Sequence, residues 1–192
     1  MWLTILSPVR STRMKPERIT FASGAVALVA DRYGDSTDPP VVFLHGGGQT
    51  RHSWGRAATV VAEAGWCAIT IDLRGHGEST WDPTGAYGLD DYAGDLVAVF
   101  DQLECEPVVV GASLGGLAAI RAMGGLRPGS GRGLVLVDIV PAMERAGTER
   151  IGDFLRAHVQ TGFGSLEEAA EAVAAYAPRA ERSIDPAGLR KN

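Results

Sequence analysis

Apolar and polar positions along the chain change period several times. Residues 18–22 and 26–30 read as two strands around a Ser23-Gly24 turn, which suits a hairpin. Residues 41–44 (VVFL), 67–71 (CAITI), 107–110 (PVVV) and 134–140 (LVLVDIV) are short, almost wholly apolar runs. Runs of that kind belong to strands covered on both faces. Between them the period lengthens. Residues 89–103 carry Leu89, Tyr92, Ala93, Leu96, Val97, Phe100 and Leu103 on one stripe at helical spacing. Asp90 and Asp91 would sit at the positive end of that helix dipole. Further helices are expected over residues 54–64 and 114–123. An alanine-rich helical stretch follows Pro141, where Ser165 and Glu168 have the spacing of a capping box.

A strand pair followed by alternating strands and helices predicts an α/β fold with a doubly wound, mostly parallel sheet. In such sheets the chemistry gathers at the carboxyl ends of the strands. Three divisions are expected: an irregular leader over 1–16, in which Met14 is an equal candidate for the start; a core over 17–141; and a helical cap segment over 142–192.

Composition narrows the class. With 192 residues, one domain is expected. The net charge of −5 includes no basic block, which argues against a nucleic-acid partner. No apolar stretch approaches the length of a membrane span. Cys67 and Cys105 have neither the number nor the spacing of a disulfide framework or zinc site. They are expected to be reduced thiols in a cytoplasmic protein. No cofactor or metal is expected.

The chemistry is carried by motifs at strand ends. Gly111-Ala112-Ser113-Leu114-Gly115 lies between an apolar strand and a small-residue helix. A serine that projects its hydroxyl from so sharp a turn needs small residues two places before and after it. Ser113 is the candidate nucleophile. An acyl-transfer oxyanion needs backbone N–H donors. Leu114 is expected to supply one, and the glycine loop His45-Gly46-Gly47-Gly48 the other, from Gly47 first and Gly48 second. His45 reads as structural rather than catalytic. With Gly46, Phe154 and Phe163 it is placed on the substrate side. The loop also invites a dinucleotide-binding reading ending at Asp72, but the third glycine is missing and the helix does not open at once. No P-loop pattern occurs.

The segment Asp72-Leu73-Arg74-Gly75-His76-Gly77-Glu78-Ser79 completes the set. HGGG at 45–48, DLRGHGES at 72–79, GASLGG at 111–116 and VDIVP at 137–141, in this order, resemble the α/β-hydrolase superfamily. The likeness is to the branch of serine esterases, cofactor-free haloperoxidases, epoxide hydrolases and haloalkane dehalogenases. It implies that Asp72, Arg74 and His76 shape the pocket rim without catalysing. Serine at the elbow, where epoxide hydrolases and dehalogenases carry aspartate, implies hydrolysis of a small-molecule ester or related acyl substrate. The resemblance also implies an acid and then a histidine after the serine. Asp138 is the candidate acid, weighed against a structural role at the strand end. The only later histidine, His158, falls in the cap segment and suits a cap role better than a base. The expectation is therefore an N-terminal part of a longer hydrolase. The alternative is an inactive or ligand-binding relative. An open edge at 134–140 is expected to promote self-association.

Overall fold

The structure is a computed structural model that describes residues 15–139, 153 and 162–176. Most of the leader and most of the cap segment, including Phe154 and His158, lie outside the described residues.

Six strands form one sheet: β1 (Glu17–Ser23), β2 (Val26–Tyr33), β3 (Pro40–Leu44), β4 (Cys67–Ile71), β5 (Val108–Ala112) and β6 (Gly133–Val137). Their order is β1-β2-β4-β3-β5-β6. β1 and β2 are the expected hairpin, closed at Gly24 with φ of 57°. β2 also lies antiparallel to β4, and β4, β3, β5 and β6 run parallel. The mostly parallel α/β prediction therefore holds.

Period-2 alternation in the central strands explains why both faces are covered. On β3, Val42 and Leu44 enter one core with Ile69 and Ile71 of β4. Helices α2 (Leu89–Asp101) and α3 (Leu114–Arg121) close that core with Leu96, Val99, Phe100, Ala118 and Ala119. The intervening Val41 and Phe43 face the other way, against Tyr33, Ala68 and helix α1 (Gly55–Glu63). Ala58 and Ala62 of α1, four residues apart, present its small face to them. One turn of 3-10 helix, Arg51–Trp54, leads into α1.

Several boundaries differ from the sequence expectation: β2 runs on to Tyr33, α2 stops at Asp101 and β5 extends to Ala112, and two further ends have a visible cause. The helix expected to reach Met123 gives way at Ala122 to a π turn, Ala122–Leu126, in which the Arg127 N–H donates to the Ala122 carbonyl at 2.8 Å. The strand expected over 134–140 stops at Val137 because Asp138 takes φ of 53°, which ends the extended run. β6 is the sheet edge among the described residues, with Val135 48% and Val137 38% exposed. In the cap segment, α4 (Leu166–Tyr176) begins at the expected cap: the Glu168 N–H donates to Ser165 Oγ at 3.1 Å. The Glu168 carboxylate reaches back to the N–H of Gly164 rather than that of Ser165.

Candidate active site

The carboxyl ends of β3, β5 and β6 border an open cleft of about 610 Å³. Gly46, Gly47, Ala112, Ser113, Val137 and Asp138 line it, together with Gln49, Ser53 and Trp54. Ser113 stands at φ 44° and ψ −113°, a strained conformation for a residue with a Cβ. The surroundings over-determine it. Its N–H donates to the Val137 carbonyl of β6 at 3.2 Å. The Gly115 N–H donates to the His45 carbonyl at 3.1 Å, tying the elbow to the glycine loop. A Cβ on Gly111 would lie 2.7 Å from the Gly115 carbonyl and the Gly116 backbone, and one on Gly115 would lie 2.6–2.7 Å from Leu44. The small residues that the motif demanded are thus required by backbone contact on both sides.

The glycine loop is a turn in which the Gln49 N–H donates to the Gly46 carbonyl at 3.1 Å. Gly48 has φ of 75° at its third position, where only glycine is at ease. Its three glycine amides have different fates. The Gly46 N–H donates to Gln49 Oε1 at 3.1 Å, and the Gly48 N–H to His76 Nε2 at 3.2 Å. The Gly47 N–H has no acceptor among the described residues. Neither has the N–H of Leu114, which opens α3 and lacks an intrahelical partner. Gly48 is therefore corrected as a candidate donor, because its amide proton is already bound.

His45 is corrected too. It is fully buried and does not line the cleft. Its Nδ1 bonds the Gly46 carbonyl at 2.7 Å, and its Nε2 accepts the Leu73 N–H at 3.0 Å. Burial pushes its pKa down to about 4, against the opposing pull of the Gly46 carbonyl. It is a neutral strut between two loops, the structural role of the two that the sequence allowed. Phe163 is half-buried and is not among the cleft-lining residues; Phe154 lies outside the described residues. Asp138 does share the cleft with Ser113, exposed, and its carboxylate has no hydrogen-bond partner among the described residues.

Charged groups in the third motif serve the frame. Asp72 is fully buried and accepts from the Arg51 N–H at 2.6 Å, from Arg51 Nη1 at 2.5 Å and from the Glu78 N–H at 3.0 Å. Burial opposes the charge of Arg51, but Glu78, Asp72 and Asp31 outweigh it and raise its pKa. Arg74 forms a two-pronged pair with Asp95 of α2, both contacts at 2.6 Å. Asp95 was not singled out in the sequence, because nothing local explains a buried carboxylate inside an apolar helix stripe. Among the described residues there is no cluster of His, Cys, Asp and Glu that could hold a metal ion, and no helix long and apolar enough to cross a membrane.

A family model described as the alpha/beta hydrolase family matches residues 41–190, which span the glycine loop, the charged motif, the elbow and Asp138. The chain belongs to the alpha/beta hydrolase family. Within the family it is 37% identical over 168 residues to Esterase Rv0045c of Mycobacterium tuberculosis, covering 85% of this chain and 54% of that protein. It is 37% identical over 127 residues to the sn-1-specific diacylglycerol lipase ABHD11 of Mus musculus, covering 65% and 40%. The solved structure of the M. tuberculosis esterase superposes with a TM-score of 0.64 at 34% identity, over 92% of this chain and 59% of that one. That of E-2-(acetamidomethylene)succinate hydrolase superposes at 0.76 over 91% and 62%, with 23% identity, and speaks to the fold alone. The chain spans about half the length of the curated relatives it matches, 54% of the first and 40% of the second.

Proposed function

We propose that this chain carries the nucleophile and oxyanion donors of a serine hydrolase acting on carboxylic esters or related acyl compounds. The observation that carries the reading is the pairing of a strained elbow serine with two unspent amides beside it. Ser113 lines the cleft together with Gly47, and Leu114, whose N–H is the second donor, follows Ser113 directly in the chain. The esterase and lipase among the relatives support the same substrate class.

In this reading Ser113 Oγ attacks the acyl carbon while its proton passes to a general base. The carbonyl π electrons move onto oxygen, and the Gly47 and Leu114 N–H groups hold the resulting anion. One such donor lowers the barrier by roughly 3–4 kcal/mol. Collapse expels the alcohol, which takes up the proton, and leaves Ser113 acylated. Water then adds to the acyl carbon by the same route and releases the acid. Three of the chain's histidines are described, and none is free to act as that base. His45 has both nitrogens engaged, and so has His76. His52 lies 3.8 Å from Asp31 and is not among the cleft-lining residues.

That last observation favours a second reading, a family member that binds its ligand without turning it over. A fluorophosphonate probe separates the two, since it requires an activated serine. The proposal expects one phosphonyl adduct per chain, mapped to Ser113 by peptide mass and absent in Ser113→Ala. A folded protein that stays unlabelled at millimolar probe would favour the binding reading.

A further inference from the structure

The sequence places His76 on the pocket rim, without a catalytic role. Its neighbours give it a more specific task. Both ring nitrogens are engaged, and by groups of opposite kind. Nδ1 faces the Arg74 carbonyl at 3.0 Å, and a carbonyl can only accept. Nε2 faces the Gly48 N–H at 3.2 Å, and an amide can only donate. One state of the ring satisfies both partners: the neutral imidazole with its proton on Nδ1. The tautomer is therefore set by geometry.

The ring is also held in place on its backbone. The His76 N–H donates to the Leu73 carbonyl at 3.0 Å, and its carbonyl accepts from the Ser79 N–H at 3.1 Å. Flanking Gly75 and Gly77 turn the chain at φ of 70° and 53°. Gly77 backs directly onto the Asp72 carboxylate, where a Cβ would collide. Asp72 in turn is fixed by Arg51. His76 is thus a rigid arm reaching from the β4 loop to the β3 loop, with the buried His45 ring 5.0 Å away behind it.

The glycine loop needs such an arm. Gly46, Gly47 and Gly48 have no side chains to pack, and Gly48 is in the left-handed region. The loop is held at its start by Gln49 and at its end by His76, and the amide between them is the unspent one. We propose that His76 is a positioning residue: its Nδ1–H tautomer holds Gly48 so that the Gly47 N–H is presented to the cleft. The inference rests on the oxyanion role given to Gly47 above.

The test compares wild type, His76→Leu and His76→Gln, with fold checked by circular dichroism. The glutamine amide can present an oxygen to the Gly48 N–H. Two readouts are taken: the rate of fluorophosphonate labelling, split into probe affinity and the inactivation step, and amide hydrogen exchange at Gly47 and Gly48. His76→Leu is expected to slow the inactivation step on the order of 10²-fold, the cost of misplacing a reacting group by about 1 Å, with little change in probe affinity. It should speed exchange at Gly48. His76→Gln should recover most of both. If wild type is not labelled, the hydrolase reading fails, and the exchange readout still decides the role of His76. If His76→Leu does not fold, His76→Ala takes its place in both readouts. The proposal is overturned if folded His76→Leu labels and exchanges like wild type, or if His76→Gln behaves like His76→Leu.

Discussion

Two glycine-to-alanine substitutions should have opposite signs. Gly94 lies mid-way along α2, and a Cβ there would meet nothing within 4 Å. Alanine at such a site removes backbone freedom from the unfolded chain and should stabilise by roughly 0.5–1 kcal/mol. Gly115 is also helical, the second residue of α3, and on propensity alone would gain about as much. Its Cβ, however, would stand 2.6 Å from Leu44 Cβ and 2.7 Å from the Leu44 carbonyl carbon and oxygen. Two of those three atoms are backbone of β3, a strand hydrogen-bonded on both sides to β4 and β5, so the neighbour cannot swing aside. Overpacking of this kind typically costs about 1–3 kcal/mol, and an immovable neighbour belongs at the upper end. Set against the helical gain, Gly115→Ala should destabilise by about 2 kcal/mol, roughly 2.5–3 kcal/mol below Gly94→Ala. Urea unfolding followed by circular dichroism at one protein concentration measures both. If Gly115→Ala is as stable as Gly94→Ala, the close approach of elbow to strand is wrong, and the Ser113 geometry loses its support.

Other expectations concern charge and edges. Arg51→Met leaves Asp72 buried without its cation and should cost about 3–5 kcal/mol in the same unfolding assay; a loss below 1 kcal/mol would mean that the pair is not buried in solution. His45 makes stability depend on pH: the unfolded imidazole takes its proton near pH 6.5, while the buried one holds out to about 4. The unfolded chain therefore binds more protons in that window, and stability should fall by up to about 3 kcal/mol as pH drops from 7 to 4. His45→Gln should remove that share of the slope, and an unchanged slope would refute it. The exposed edge and outward Val135 and Val137 of β6 should let two copies associate, with sedimentation showing concentration dependence that Val135→Lys weakens. A monodisperse monomer at all concentrations would exclude it.

What was legible in the sequence was whatever depends on short-range pattern. The buried strands could be read from runs such as CAITI, because a strand covered on both faces is apolar almost throughout, with Thr70 the one polar position here. The elbow was legible because the steric demand around Ser113 falls on residues two away in the chain. Boundaries failed where a single backbone angle decided them: nothing in LVLVDIV signals that Asp138 turns to positive φ and ends β6. The charged frame was half legible. The motif 72–79 was recognisable as structural, but its partners Arg51 and Asp95 lie 21 residues to either side of Asp72 and Arg74, and no local rule pairs them.

The same limit governs the proposed oxyanion donor, where the fold separates amides that composition left equivalent. Three adjacent glycines are equivalent in sequence, and any could approach a substrate. They become unequal when the acceptors arrive from elsewhere. Gln49 takes the first amide from within the turn, and His76, brought from the next strand's loop, takes the third. A buried or loop amide that already has an acceptor must give it up before it can bind an oxyanion, so it offers little net stabilisation as charge develops. The amide without an acceptor exchanges only solvent for the developing charge. In the proposed reading the donor is thus chosen by subtraction: the side chains that hold the loop occupy two amides, and the one they leave unoccupied, that of Gly47, belongs to a residue that lines the cleft with Ser113.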